Sequence, residues 1–222
     1  EFENLYKAYH AVCQKHAQRI LFKNQEITFA EAWRRMETRA LFLRAAGYKK
    51  GDIIAILAGS SPAWCITYMA ITAIGAIALP LDTNLTAEQY RQMLQSVGAR
   101  AVFAAANFRS IFDNLAVHGI DDEYPPTGEK HLEETPLATN DIASLLFTSG
   151  TTGNPKIVAL THSNILHVAL VCTQLEEYTA SDMTLAMLPL YHVYAFESTF
   201  MAPLLTGSSI VFQTSLKGPD II

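Results

Sequence analysis

The sequence predicts an α/β fold of mostly parallel sheets flanked by helices. Three observations carry that prediction. Short apolar runs at 53–58, 76–80, 101–104, 142–148, 157–160, 184–188 and 209–212 alternate with helical stretches, the order that covers both faces of a parallel sheet. Helix-start signals stand where the alternation needs them. Thr28 with Glu31 and Thr86 with Gln89 fit capping boxes, and Pro62 suits a first helical turn. Finally, half of the 222 residues are apolar and 17% are charged, which excludes a disordered chain and allows a continuous core.

In chain order, Phe2 to Gln18 has the pattern of an amphipathic helix. Residues 20–22 and 26–28 flank Lys23-Asn24-Gln25 as a small hairpin. A helix follows from Thr28 to about Ala46, with an apolar stripe of Ala32, Trp33, Met36, Ala40 and Leu43 and a stop at Gly47. Further helices are predicted over 62–74, 87–96, 107–117, 163–177 and 195–205.

No charged residue lies between Asp52 and Asp82, and 62–81 alone is long enough to cross a bilayer. The run is divided by Gly59-Ser60-Ser61-Pro62, Gly75 and Pro80. A buried strand, a core helix and a second buried strand explain it better, so no transmembrane segment is expected.

Three parts are expected. Residues 1–118 form a first α/β subdomain, 119–140 an acidic Pro/Gly connection, and 141–222 a second α/β segment. The acidic residues of the connection have no metal-ligand spacing and read as a solvated face. A net charge of −5 with no basic block beyond Lys49-Lys50 gives no nucleic-acid footprint. Cys13, Cys65 and Cys172 are odd in number and far apart. They suit reduced thiols in a cytoplasmic protein better than disulfides or a metal site. No secretory signal is visible.

The stretch that carries chemistry is Thr148-Ser149-Gly150-Thr151-Thr152-Gly153-Asn154-Pro155-Lys156, set between two apolar strands. Its glycines let backbone approach a ligand, and its hydroxyls and free amides can donate to phosphate oxygens. Lys156 adds a fixed positive charge. Two residues separate the glycines and Ile157 follows the lysine, so this is not a Walker A loop. The residues alone leave two readings open, a phosphate cradle or a hydroxyl-rich hairpin turn.

The loop closely resembles the phosphate-binding signature of the adenylate-forming (AMP-binding) superfamily, and the resemblance extends over nearly the whole chain. Ile27-Thr28-Phe29-Ala30-Glu31 through Gly51-Asp52-Ile53-Ile54-Ala55-Ile56 resembles the first core block. Ala73 to Pro80 resembles the second, and Leu188-Pro189-Leu190-Tyr191-His192-Val193-Tyr194-Ala195-Phe196 the fourth. One departure is Ile157, where the family usually has Gly.

The resemblance implies an N-terminal segment of an acyl- or aryl-CoA synthetase. Members activate a carboxylic acid with ATP and Mg2+, giving an acyl-adenylate and pyrophosphate, and then pass the acyl group to the thiol of coenzyme A or a carrier protein. It implies that Thr148, Ser149, Gly150, Thr151, Thr152, Gly153 and Lys156 cradle the β- and γ-phosphates. His192 would stand beside the reacting carboxylate, with Tyr194 and Phe196 lining the acyl pocket. The span Tyr191 to Phe196 lacks the Asp that amino-acid-activating members use, which points to a fatty or aryl acid. The family's later blocks, including its Mg2+-binding Glu and its adenylation lysine, are not found. The chain is therefore expected to be a truncated piece, inactive alone, with no metal ligand of its own. The alternatives are a fatty-acyl-AMP or carrier-protein ligase, or a non-catalytic α/β nucleotide-binding module.

Overall fold

A computed structural model describes residues 2–125, 127–128, 131–148 and 156–213. Asn4 starts α1 (Leu5–Lys15) by accepting a hydrogen bond from the Lys7 amide, so this helix is shorter than its apolar pattern. Then come β1 (Ile20–Phe22), β2 (Ile27–Thr28) and α2 (Phe29–Ala45). Thr28 accepts from the Glu31 amide as predicted. The Glu31 carboxylate does not complete the box; it binds Arg34 and Arg35, and Arg34 foremost holds it down at about 2.

The middle of the chain gives β3 (Ile53–Leu57), α3 (Pro62–Ala73), β4 (Ile77–Pro80), α4 (Ala87–Val97) and β5 (Ala101–Ala104). Thr86 and Gln89 form the full capping box, and Gly98 ends α4 at φ +66°. The helix predicted over 107–117 is a correction. Ala106–Ile111 is a 3-10 turn, and β6 (Ala116–Gly119) pairs parallel to β5. Asp113 and Asn114 favour a turn between them, and the backbone groups of β5 find a ladder partner in β6.

The last third contributes β7 (Ile142–Thr148), β8 (Lys156–Thr161), α5 (His162–Leu175), β9 (Met183–Ala186), α6 (Val193–Phe196), α7 (Ala202–Thr206) and β10 (Ser209–Phe212). Glu197–Met201 forms a π-turn between α6 and α7, closed by the Ala202 amide donating to the Glu197 carbonyl. Pro203 lacks an N–H and would crowd the carbonyl four residues back in a regular helix, so the turn widens.

Two sheets result, ordered β6-β5-β3-β4-β7-β8 and β2-β1-β10-β9. All neighbours are parallel except β1–β2 and β7–β8. Each sheet draws strands from both sides of residues 119–140. In β3, Ile54 and Ile56 face the core built on α1–α3, while Ala55 and Leu57 face the core under α4. This alternation covers the six-stranded sheet on both faces, as predicted.

Every residue of α3 except Ala63 is buried, which accounts for its lack of charge. Among the described residues no helix is long and apolar enough to cross a membrane. The 119–140 connection is tied to the body at several points. Arg39 donates to the Ile120 carbonyl at 3.0 Å, Arg44 to Thr135 Oγ1 at 2.6 Å, and Lys50 to the Pro136 carbonyl at 3.1 Å.

Candidate functional site

Strands β3, β4 and β7 run in one direction, so the segments leaving them open on one edge of the six-stranded sheet. Ligands of open parallel sheets bind at this carboxyl edge. Ser60 follows β3, Asp82 and Asn84 follow β4, and β7 ends at Thr148. The segment between β9 and α6, residues 187–192, comes from the other sheet and is fastened here. Leu190 N–H donates to Ser60 Oγ at 2.9 Å, and Asn84 Nδ2 donates to the Tyr191 hydroxyl at 3.2 Å.

Between these segments and α4 lies a cleft of about 880 Å³. Its walls carry Thr148, Ile157, Tyr191 and His192, with Pro80 and Asp82 at the end of β4 and Gln89 and Met93 on α4. Most of the lining is apolar, with a few convergent polar groups, which is the usual make-up of a ligand site.

Two of the predicted phosphate-contacting residues are described. Thr148 and Lys156 face each other in the β7–β8 register, and Thr148 Oγ1 donates to the Lys156 carbonyl at 3.5 Å. Lys156 is exposed and has no ion pair among the described residues. Ser149, Gly150, Thr151, Thr152 and Gly153 lie outside the described residues. Ile157 pairs with Phe147 inside β8 and is 45% exposed on the cleft wall. A β-branched residue suits that extended position.

His192 lines the same cleft as Thr148, and its ring lies 4.5 Å from that of Tyr191. Burial, with the Asp82 carboxylate adding to it, pushes the Tyr191 phenol up, so its oxygen keeps its proton. Tyr194 and Phe196 do not line this cleft. Tyr194 is 66% exposed, and Phe196 is buried 4.7 Å from the Tyr68 ring.

Two further ionisable groups are buried away from the cleft. His162 accepts a hydrogen bond from the Leu5 amide and is pushed down to about 4 by burial, so it stays neutral and joins α5 to α1. Glu197 is 3% exposed and pushed up to about 8 by burial. Its Oε2 has no partner among the described residues. Among the described residues no group of three or more His, Cys, Asp or Glu is placed to hold a metal ion.

Sequence reasoning does not single out Ser60, Asp82 or Asn84. Their signal is positional, since each directly follows a strand that ends on the same edge as Thr148.

Fold and cleft together define an α/β protein whose candidate site is built at the carboxyl ends of a largely parallel sheet, where β7 ends at Thr148. The chain belongs to the AMP-binding enzyme family, whose model matches residues 9–221. It is 27% identical over 211 residues to a feruloyl-CoA synthase of Amycolatopsis sp, covering 90% of this chain and 41% of the relative. It is 28% identical over 192 residues to 4-coumarate--CoA ligase 3 of Arabidopsis thaliana, covering 75% of this chain and 33% of the relative. The chain thus spans less than half the length of these curated relatives.

The fold overlays the Klebsiella oxytoca NpsA N-terminal subdomain solved with 3-hydroxyanthranilyl-AMSN, at TM-score 0.83 and 23% identity. That overlay covers 96% of this chain and 54% of that subdomain chain. Apo MatB of Rhodopseudomonas palustris gives TM-score 0.83 at 20% identity, covering 98% of this chain and 47% of MatB.

Proposed function

We propose that the chain is part of an AMP-forming acid–thiol ligase. The enzyme joins a fatty or aryl carboxylic acid to ATP, releasing pyrophosphate, and passes the acyl group from the adenylate to the thiol of coenzyme A. The observation that carries the reading is that Thr148 and His192 line one cleft, in a chain that the AMP-binding family model matches almost end to end. The relatives named as CoA synthase and CoA ligase support the acceptor.

The chemistry asks for a polyanion to be held while a carboxylate oxygen attacks the α-phosphorus, which is positioning and charge stabilisation. In this reading Thr148, Ser149, Gly150, Thr151, Thr152, Gly153 and Lys156 hold the β- and γ-phosphates. The Lys156 ammonium offsets the charge that builds up on the departing pyrophosphate. His192 orients the reacting carboxylate, and Tyr194 and Phe196 belong to the acyl side. ATP, Mg2+ and coenzyme A are needed by the whole enzyme, which this reading places in the cytoplasm. Residues 1–222 alone are proposed to be inactive.

The test is ATP–pyrophosphate exchange by the full-length enzyme against a panel containing ferulate, 4-coumarate, benzoate and straight-chain fatty acids. Exchange with one class, followed by thioester formation on adding coenzyme A, is the expected result. A thioester formed only on a carrier protein moves the reading to a carrier-protein ligase. No exchange with any acid leaves a non-catalytic nucleotide-binding module.

A further inference from the structure

His192 itself donates no side-chain hydrogen bond among the described residues, yet the segment that carries it is held by groups from two other loops. Asp82 Oδ1 accepts from both the backbone N–H and the Nδ2 of Asn84, each at 2.9 Å. That double contact fixes the Asn84 amide. The same Nδ2 donates to the Tyr191 hydroxyl at 3.2 Å, across 107 residues of sequence. The Tyr191 ring in turn lies 4.5 Å from the His192 ring, tilted by 51°. On the backbone side, the His192 N–H donates to the Pro189 carbonyl at 3.1 Å, and Leu190 N–H is held by Ser60.

From this chain of contacts we infer that Asn84 and Tyr191 are positioning residues, which hold the His192 ring at the cleft that Thr148 also lines. The inference deepens the proposed function, since the role given to His192 rests on that reading, but the geometry stands without it. A histidine at an exposed loop position has several rotamers open to it. A neighbouring ring held by a fixed amide removes some of them before any ligand arrives. Such preorganisation costs nothing at the moment of reaction and makes the bound geometry productive. The Tyr191 hydroxyl accepts from Asn84 at the rim of the cleft, and phenylalanine would fill the same space without tying down its ring.

The experiment reads the imidazole of His192 directly, by NMR of the histidine-labelled chain, with His192 assigned from a His192→Gln variant. Asn84→Ala and Tyr191→Phe are compared with the parent and with each other. Asn84 makes no hydrogen bond to His192, so its influence has to pass through Tyr191. Asn84→Ala is therefore expected to shift the His192 ring signals and increase their fast motion, with the other six histidines unmoved. Tyr191→Phe should do the same, and the double variant should do no more than either alone. Melting temperatures measured alongside separate this from unfolding. His192 signals unchanged in both variants, additive effects, or shifts spread over all the histidines would overturn the inference. None of these readouts needs an acid substrate, so failure here and failure of the ligase reading remain distinguishable.

Discussion

Lys156 and Glu197 show opposite uses of a charge. Lys156 is exposed at the mouth of its loop and free of ion pairs among the described residues, so its charge is available to a ligand. Lys156→Ala in the full-length enzyme is expected to slow adenylation by about 100-fold, while thioester formation from a supplied acyl-adenylate changes little. Equal losses in the two half-reactions would remove its role at the phosphates. Glu197 is sealed inside, and its carboxyl ionises only near 8. Below about 4.5 it is neutral both folded and unfolded. Between 4.5 and 8 only the unfolded chain releases the proton, so stability falls with rising pH by about 1.4 kcal/mol per unit. His162 works the other way between about 4 and 6.5, because the unfolded chain takes up a proton there that the folded chain refuses. The two nearly cancel below 6.5, and the fall becomes visible between 6.5 and 8. Urea unfolding of Glu197→Gln should lose that fall, and a parent-like decline in the variant would assign it elsewhere.

At the scale of elements, the legible features are those that act within one turn of chain. The Thr86–Gln89 box and the Pro62 start both stand where the sequence puts them. The misread element is 107–117, where local helix pattern loses to a sheet edge that needs a partner. The Thr161–Asn164 capping box at α5 uses a residue pair not foreseen as a start. Thr161→Ala is expected to cost about 1 kcal/mol in urea unfolding. Gly207 ends α7 at φ +81°, and a Cβ there would lie 2.5 Å from the His16 ring. Gly207→Ala should therefore cost about 1–3 kcal/mol, from backbone strain and the displaced imidazole together. A loss below about 0.5 kcal/mol would mean that His16 swings aside freely.

The whole molecule interleaves its two ends. β1 lies parallel to β10, and Asn24 exchanges hydrogen bonds with the backbone of Phe212 across 188 residues. Removing residues 1–28, and with them α1, β1 and β2, should therefore unfold β9–β10, which protease digestion followed by mass spectrometry would reveal. A protected 142–213 product would contradict that coupling. The same interleaving builds the cleft. Its walls come from β4, α4, the β7–β8 hairpin and the segment before α6, brought together from four parts of the sequence. The sequence by itself determined the order of strands and helices, the hydroxyl-rich loop, and the resemblance to adenylate-forming enzymes, because each is written in neighbouring residues. Only the tertiary structure decided which strands share a sheet, and that Ser60, Asp82 and Asn84 hold the His192 segment at the cleft lined by Thr148. Pairings across a hundred or more residues carry no local pattern; they are selected by the joint burial of both sheet faces and by the need to satisfy every buried backbone group.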